Sequence, residues 1–389
     1  MKHNWEYKKI NDLGIIKSGY TPSSDDLATN GDFPYFKVAE MNLPGNEKYL
    51  IHAPSYLSGE IKTFPANSIV FPKNGAAVST NKKRILQVDS VVDLNTAVML
   101  ANQNISVNYL YYILINIDFA NLVKRGAVPT LNISELKNII VPVPPMETQE
   151  HIVAELDQIN DLIAKNRELL LQLDALAQSL FYDTFGDPLT NPKGWSAKRF
   201  KDILYKIGSG ATPRGGKQSY QGGEVSLIRS LNVYNTYFKY DELAKINDEQ
   251  AYELRNVEVL HYDVLLNITG ASVARCFIVP VDTLPARVNQ HVAILRPNNK
   301  YIKSIYLHRL LITPTFQNYL IGTARGKSAT REALPKATLE MIEIPVPPLA
   351  LQEDFAAKVE AIEAQKAKVE AEIVELQTLL DARMDYWFN

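Results

Sequence analysis

A single cysteine in 389 residues, Cys276, excludes any disulfide within the chain and any zinc site built from several thiolates. It lies on an apolar run with Phe277 and Ile278, so it reads as a small buried hydrophobe. No apolar run reaches the roughly 18 residues that a membrane-crossing helix needs, and the opening MKHNWEYKKI has no apolar core of secretion-signal length. A reducing cytoplasm is the expected location. Catalytic signatures are missing too. There is no G-x-S-x-G, no paired histidine and no cluster of metal-ligating residues, so neither a metal nor a cofactor is expected. An amino-methyltransferase would need [NDS]-P-P-[YFW], but Pro144-Pro145 and Pro347-Pro348 follow valine and precede Met146 or Leu349. Gly326-Lys327-Ser328 could end a phosphate-binding loop, yet Ile321 stands where its first glycine must be. An independent enzyme is therefore not expected. Net charge is also scarce, at −2.

What the chain does have is one unit written twice. Trp5-Glu6-Tyr7-Lys8-Lys9 is echoed by Trp195-Ser196-Ala197-Lys198-Arg199, and IIKSGYTP (15–22) by YKIGSGATP (205–213). SIVFPKNGAAV (68–78) aligns with DVLLNITGASV (263–273), LNTAVML (94–100) with NQHVAIL (289–295), and NYLYYIL (108–114) with IYLHRLL (305–311). IVPVPPMETQE (140–150) then matches IEIPVPPLALQE (342–353). The offset drifts from 190 to 203 while the order stays fixed, so insertions have entered loops.

Each unit begins with a mixed globular region. Residues 68–71, 91–100, 263–267 and 291–295 read as strands, and 109–117 and 305–312 as short buried helices. A long helix follows each Pro-Pro pair, because proline is tolerated in a first helical turn but not inside one. In the first helix Ile152, Leu156, Ile159, Ile163, Leu170, Leu173, Ala177 and Leu180 recur in steps of four and three, with Asn166 in the gap. In the second the seam is Phe355, Val359, Ile362, Val369, Ile373, Leu376, Leu380 and Trp387, interrupted by Lys366 and Arg383. These are heptad patterns, and about 37 residues would span about 55 Å. If a pseudo-twofold axis relates the units, the helices pair antiparallel. Asn166 and Lys366 then fall near mid-seam, either fixing register or marking a locally exposed stretch. The expected fold is α+β: two mixed α/β domains in pseudo-twofold repeat, at 1–147 and 187–348, separated by two long helices, 148–186 and 349–389, in an antiparallel coiled coil.

Charge is partitioned along these boundaries. Residues 1–147 carry 14 Lys/Arg against 13 Asp/Glu, a net +1, and residues 187–348 carry 21 against 14, a net +7. The helical segments 148–186 and 349–389 are each −5. Phosphate binding needs positive charge locally rather than over a whole chain, and the acidic helices suit protein partners.

Over essentially its whole length the chain resembles the specificity (S) subunit of type I restriction-modification systems. The marks are the SGYTP and SGATP turns, G-x-x-x-T at 126–130 and 326–330, and P-x-P-P-x-x-x-Q at 142–149 and 345–352, each present twice and in order. The resemblance implies two target recognition domains, each reading one half of a split double-stranded DNA site, with the helices as spacer and docking platform. It also implies two adenine-N6 methyltransferase (M) subunits and two restriction (R) subunits as partners. The readers differ in sequence, so their half-sites should differ. The nearly neutral first reader departs from the expected basic character, and leaning on its methyltransferase partner for phosphate contacts is the expectation there.

Basic and amide residues beside turns are the candidate DNA contacts. They are Lys73, Asn74, Lys82, Lys83, Arg84, Lys124 and Arg125 in the first reader, and Arg214, Lys217, Arg275, Arg287, Gln290, Arg325, Lys327 and Arg331 in the second. Arginine can bind guanine edges bidentately and Asn or Gln adenine edges, whereas lysine mostly positions phosphates. Tyr20, Tyr220, Tyr234 and Tyr237 could meet DNA or simply pack, and His291 reads as a satisfied core histidine. The rival to DNA recognition is a coiled-coil scaffold whose globular ends bind proteins. The basic turns and the paired motifs argue against it.

Overall fold

The computed structural model describes residues 5–124, 126, 128–213, 220, 222–326 and 332–389. The described chain forms two compact units, residues 1–165 with 372–389 and residues 166–371. Each long helix contributes one part to each unit.

In the first unit a five-stranded sheet has the order Gly14–Ser18, Thr96–Ala101, Ile69–Pro72, Arg84–Leu86, Tyr49–Leu50. Ile69, Val70 and Phe71 form a continuous apolar run because their strand is central and covered on both faces. The helix Val107–Asn116 closes one face, burying Tyr109, Leu110 and Ile113 among Ile69, Phe71 and Met99. Full burial of each such side chain is worth roughly 1.5–3 kcal/mol. The run expected as one strand over 91–100 is two: Val91–Val92 joins a three-stranded sheet with Phe33–Phe36 and Ser55–Leu57, and Thr96–Ala101 joins the five-stranded one. The break is at Asp93, whose carboxylate accepts the amide of Asn95 at 2.8 Å and turns the chain.

The second unit repeats the plan. Leu204–Ser209, Val292–Pro297, Val264–Asn267 and Cys276–Ile278 form one sheet, covered by the helix Ser304–Leu311. A second sheet orders Ala244–Ile246, Val225–Ile228, Ala286–Val288 and Glu258–Val259. Cys276 is fully buried, and burial pushes its thiol up.

Both units close in the same way. Glu6–Lys9 pairs antiparallel with Ile140–Val143, and Ala197–Arg199 with Glu343–Pro345. Long helices then run over Met146–Phe185 and Leu349–Phe388, 40 residues each, starting just past the Pro-Pro pairs. The glutamine of each P-x-P-P-x-x-x-Q motif is a buried clasp. Gln149 donates to Pro144 O at 2.9 Å and accepts from Ser106 N at 2.8 Å. Gln352 donates to Pro347 O at 2.8 Å and Tyr301 O at 3.0 Å, and accepts from Lys303 N at 2.9 Å. Tyr109 and Tyr306, at matching positions, donate to Pro142 O at 3.1 Å and Pro345 O at 2.8 Å.

The helices pair antiparallel inside the second unit, since Phe355 packs on Phe181 and Phe185 while Lys366, eleven residues on, meets Asp174 at 2.6 Å. Lys366 is buried and also faces Glu363 at 3.3 Å, so this polar interruption is a satisfied cross-seam pair, not an exposed stretch. In the first unit Glu155 accepts from Arg383 at 2.9 Å and from the Trp387 indole at 3.0 Å, and Trp387 stacks on Trp5.

Candidate nucleic-acid interface

In the first unit the SGYTP turn, the end of the Ile69–Pro72 strand, the Asp93 turn and the segment around Pro129 converge. Gly19 N donates to Thr96 O at 3.1 Å and Tyr20 N to Val92 O at 2.9 Å. Lys73 N donates to Asn95 O at 2.9 Å, Gly75 N to Pro129 O at 2.8 Å and Leu131 N to Lys73 O at 2.8 Å, with Asn74 bridging Thr130. The repeated glycine of the turn is required by this approach: a Cβ at Gly19 would sit 2.3 Å from Asp93 O.

The second unit repeats the bonds at the strand end, while in its turn Gly210 N donates to Asn289 O at 3.1 Å and not to the counterpart of Thr96. Ile268 N donates to His291 O at 2.9 Å, Gly270 N to Glu332 O at 3.0 Å and Leu334 N to Ile268 O at 2.8 Å, with Thr269 bridging Ala333. A Cβ at Gly210 would meet Val288 O at 1.7 Å. The Asp93 turn recurs at Asn289, whose side chain accepts His291 N at 3.0 Å. Asp93 N donates to Phe36 O at 2.9 Å, as Asn289 N does to Ile228 O at 3.1 Å. These bonds correct the sequence alignment by one residue: Asp93, not Leu94, corresponds to Asn289.

Side chains at the two convergences differ. In the first, Asp93 is an acceptor hub, taking Thr21 Oγ1 at 2.8 Å, Tyr35 OH at 3.0 Å and Asn95 Nδ2 at 2.8 Å. Burial pushes this carboxyl up, but the bonds from Asn95, Thr21 and Tyr35 outweigh it and hold the pKa below the ordinary value. A pocket of about 410 Å³ opens here, lined in part by Thr21, Pro22, Tyr35, Lys37, Asp93 and Asn95. In the second unit, Thr212 and Gln290 are hydrogen-bonded, Gln290 Nε2 lies 3.2 Å from His291 Nε2, and His291 Nδ1 lies 2.6 Å from Thr269 Oγ1. His291 is thus satisfied as expected, though it sits half-buried in the turn before its strand and not in the core.

Several candidate cations and amides are at these convergences. Lys73 reaches Ser18 Oγ at 2.7 Å, and burial lowers its pKa. Asn74 is half-buried beside it, and Lys124 is exposed on a two-residue strand paired with Thr130–Leu131. Gln290 and Arg325 are exposed, Arg325 holding Glu332 at 2.9 Å. Arg275 lies 4.6 Å over the Tyr234 ring, which stacks on Tyr237, and its carbonyl accepts Asn267 N at 2.7 Å. Lys82 instead bonds Asn42. Tyr20 is taken up by Lys62 O at 2.6 Å, and Tyr220 lies under Arg229.

Three candidates are internal struts, which corrects the expectation for them. Lys83 is fully buried, bonded to Asn81 and to Ile117 O at 2.9 Å, with Nζ 3.8 Å above the Phe119 ring. Burial pushes it down to about 7. Arg84 gives its guanidinium to Lys83 O at 2.7 Å and Met41 O at 2.9 Å. Arg287, on a central strand, bonds Ala251 O at 3.1 Å and Ala286 O at 2.9 Å and faces Glu258 at 3.6 Å. Arg125, Arg214, Lys217, Lys327 and Arg331 lie outside the described residues. Sequence reasoning missed Thr21, Asp93, Asn95 and Thr269. The signal for Asp93 and Asn95 was Asp-Leu-Asn between Val91-Val92 and Thr96, a side-chain-capped turn inside an apparent strand.

Fold and site together define a duplicated protein whose two α/β units each build the same turn cluster beside a long helix. The sequence model of the family described as type I restriction modification DNA specificity domain matches twice, over residues 2–175 and 192–377. The chain belongs to that family. Among curated relatives, the specificity subunit of type I restriction enzyme MjaIX from Methanocaldococcus jannaschii is 25% identical over 58% of this chain and 57% of its own length. The EcoBI subunit from Escherichia coli is 23% identical over 61% and 54%, and the HindI subunit from Haemophilus influenzae 21% identical over 86% and 85%. The matched stretch thus spans little more than half of the first two. A type I restriction-modification S subunit from M. genitalium superposes with a TM-score of 0.59 at 13% identity, covering 100% of this chain and 97% of that one. A chain from a study of complex assembly in the type I system gives 0.58 at 16%, covering 98% and 96%. At these identities both show likeness of fold.

Proposed function

We propose that this chain is the non-catalytic recognition subunit of a cytoplasmic type I restriction-modification assembly. Each unit reads one half of a two-part double-stranded DNA site, and the long helices set the gap between the halves and dock two methyltransferase and two restriction subunits. The observation that carries this reading is the duplicated turn cluster: one backbone frame, built twice, presenting different side chains, in a chain of the DNA specificity family. The turn cations outside the internal struts, Lys73, Lys124, Arg275 and Arg325, would position phosphates or meet base edges. The acidic helices repel the DNA backbone and suit protein partners.

The test is exchange of residues 187–348 for the corresponding region of another family member, read by sequencing methylated sites in cells carrying the whole assembly. One half of the motif should change while the other stays. A change in both halves, or in neither, would overturn the modular reading. A protein-binding scaffold would instead show no log-linear loss of DNA binding with salt.

A further inference from the structure

The two clusters share the main-chain hydrogen bonds of the strand end and of the capped turn, so this part of the backbone frame gives no reason for the units to prefer different bases. Among the side chains that differ, those at the tip of the turn are Leu94 in the first unit and Gln290 in the second, each one residue past the capping Asp93 or Asn289. Leu94 is 51% exposed, and Gln290 is exposed as well.

Resting on the DNA-reading function above, we propose that Gln290 and Leu94 are the specificity-determining residues of the two half-sites, Gln290 reading an adenine and Leu94 a thymine methyl. Gln290 is braced on two sides. Its Oε1 accepts from Thr212 of the SGATP turn, and its Nε2 faces His291 Nε2 at 3.2 Å. His291 is oriented in turn by Thr269 Oγ1 at 2.6 Å, which fits a proton on Nδ1 and a lone pair on Nε2. An amide has two acceptor lone pairs and two donor hydrogens. With one of each engaged, one lone pair and one N–H remain, which is what the N6 and N7 edge of adenine requires. Holding the amide in place before binding removes the ordering cost of a free glutamine. Leu94 has no hydrogen-bonding atoms in its side chain and can discriminate only by apolar contact, for which the major groove offers the thymine methyl.

The test uses the full chain with its methyltransferase subunits and a randomised duplex library, sequenced after selection, for wild type, Gln290→Leu and Leu94→Gln. Wild type should select a two-part consensus. Gln290→Leu should lose an adenine preference of roughly ten- to hundredfold at one position of one half. Leu94→Gln should alter one position of the other half and nothing else. An unchanged consensus in both variants overturns the assignment while leaving DNA reading intact. Loss of all binding by Gln290→Leu, non-specific duplex included and with an unchanged melting temperature, also overturns it, because the residue would then be a backbone anchor. If the wild type selects no consensus, the DNA-reading function itself falls.

Discussion

Replacing Gln352 with leucine removes a clasp whose worth follows from its bonds. Its carboxamide is fully buried and serves three main-chain groups: Pro347 O, Tyr301 O and Lys303 N. Leucine is close in volume, so the loss comes mainly from leaving those groups without partners. At about 1–3 kcal/mol for each unsatisfied buried group, the substitution should destabilise the second unit by about 3–9 kcal/mol. Gln149 serves two such groups, Pro144 O and Ser106 N, so Gln149→Leu should cost about 2–6 kcal/mol, felt in the first unit. Gln352→Glu should be at least as harmful as the leucine variant, since two carbonyl oxygens would then face a carboxylate. Urea denaturation gives the totals, and native-state hydrogen exchange localises them. In Gln352→Leu, protection should fall over Ser304–Leu311 and the start of the C-terminal helix and persist over Val107–Asn116. A loss below about 1 kcal/mol would refute the clasp, since that is no more than one ordinary hydrogen bond. Equal loss of protection in both short helices would refute its localisation.

The ammonium of Lys83 is held down to about 7 by burial, against an ordinary 10.5; the Asp118 carboxylate favours the charged form but is the smaller effect. Between those values the unfolded chain binds the proton and the folded chain does not, so this group adds stability as pH rises from about 7 to 10.5, by about 1.4 kcal/mol per pH unit. Lys83→Met should remove that slope in pH-dependent urea titrations compared with wild type, and an unchanged slope would contradict the assignment. Gly210→Ala should cost at least about 2 kcal/mol, because the new Cβ would lie 1.7 Å from Val288 O and the strand must move. Its functional effect should fall on one half-site alone, as methylated-site sequencing would show; intact recognition in both halves would mean the turn has no part in reading. Adding one heptad to each long helix should widen the gap between the half-sites, and an unchanged gap would exclude the helices as its determinant.

The duplication, the two long helices and the helix starts were legible in the sequence because each rests on a short-range rule: a repeated motif, a heptad period, a proline pair. Three of the four strands expected were found to within a residue or two, and the fourth is broken into two sheets at Asp93. That error carried into the one-residue misalignment of 94–100 with 289–295, since a side-chain-capped turn leaves hydrophobic periodicity almost untouched. Site residues were harder to read. Lys82, Lys83 and Arg84 looked like one basic run, but Lys83, just before the strand Arg84–Leu86, turns inward over the Phe119 ring while Arg84 folds over onto main-chain carbonyls. Arg287 failed for a related reason: its strand is flanked on both sides by neighbours. Long-range partners decide such cases, and a local pattern does not contain them.

The strand pairs Glu6–Lys9 with Ile140–Val143 and Ala197–Arg199 with Glu343–Pro345 mean that each globular segment enters and leaves through neighbouring strands. The helix that follows therefore starts from the same place however much chain lies between the two strands. Residues added to an intervening loop cost only the slow logarithmic growth of loop entropy and leave the helical register unchanged. The thirteen-residue drift in offset between the two copies, from 190 to 203, is such an accumulation. Each globular segment can grow, shrink or be rewritten without the helices registering a change in length.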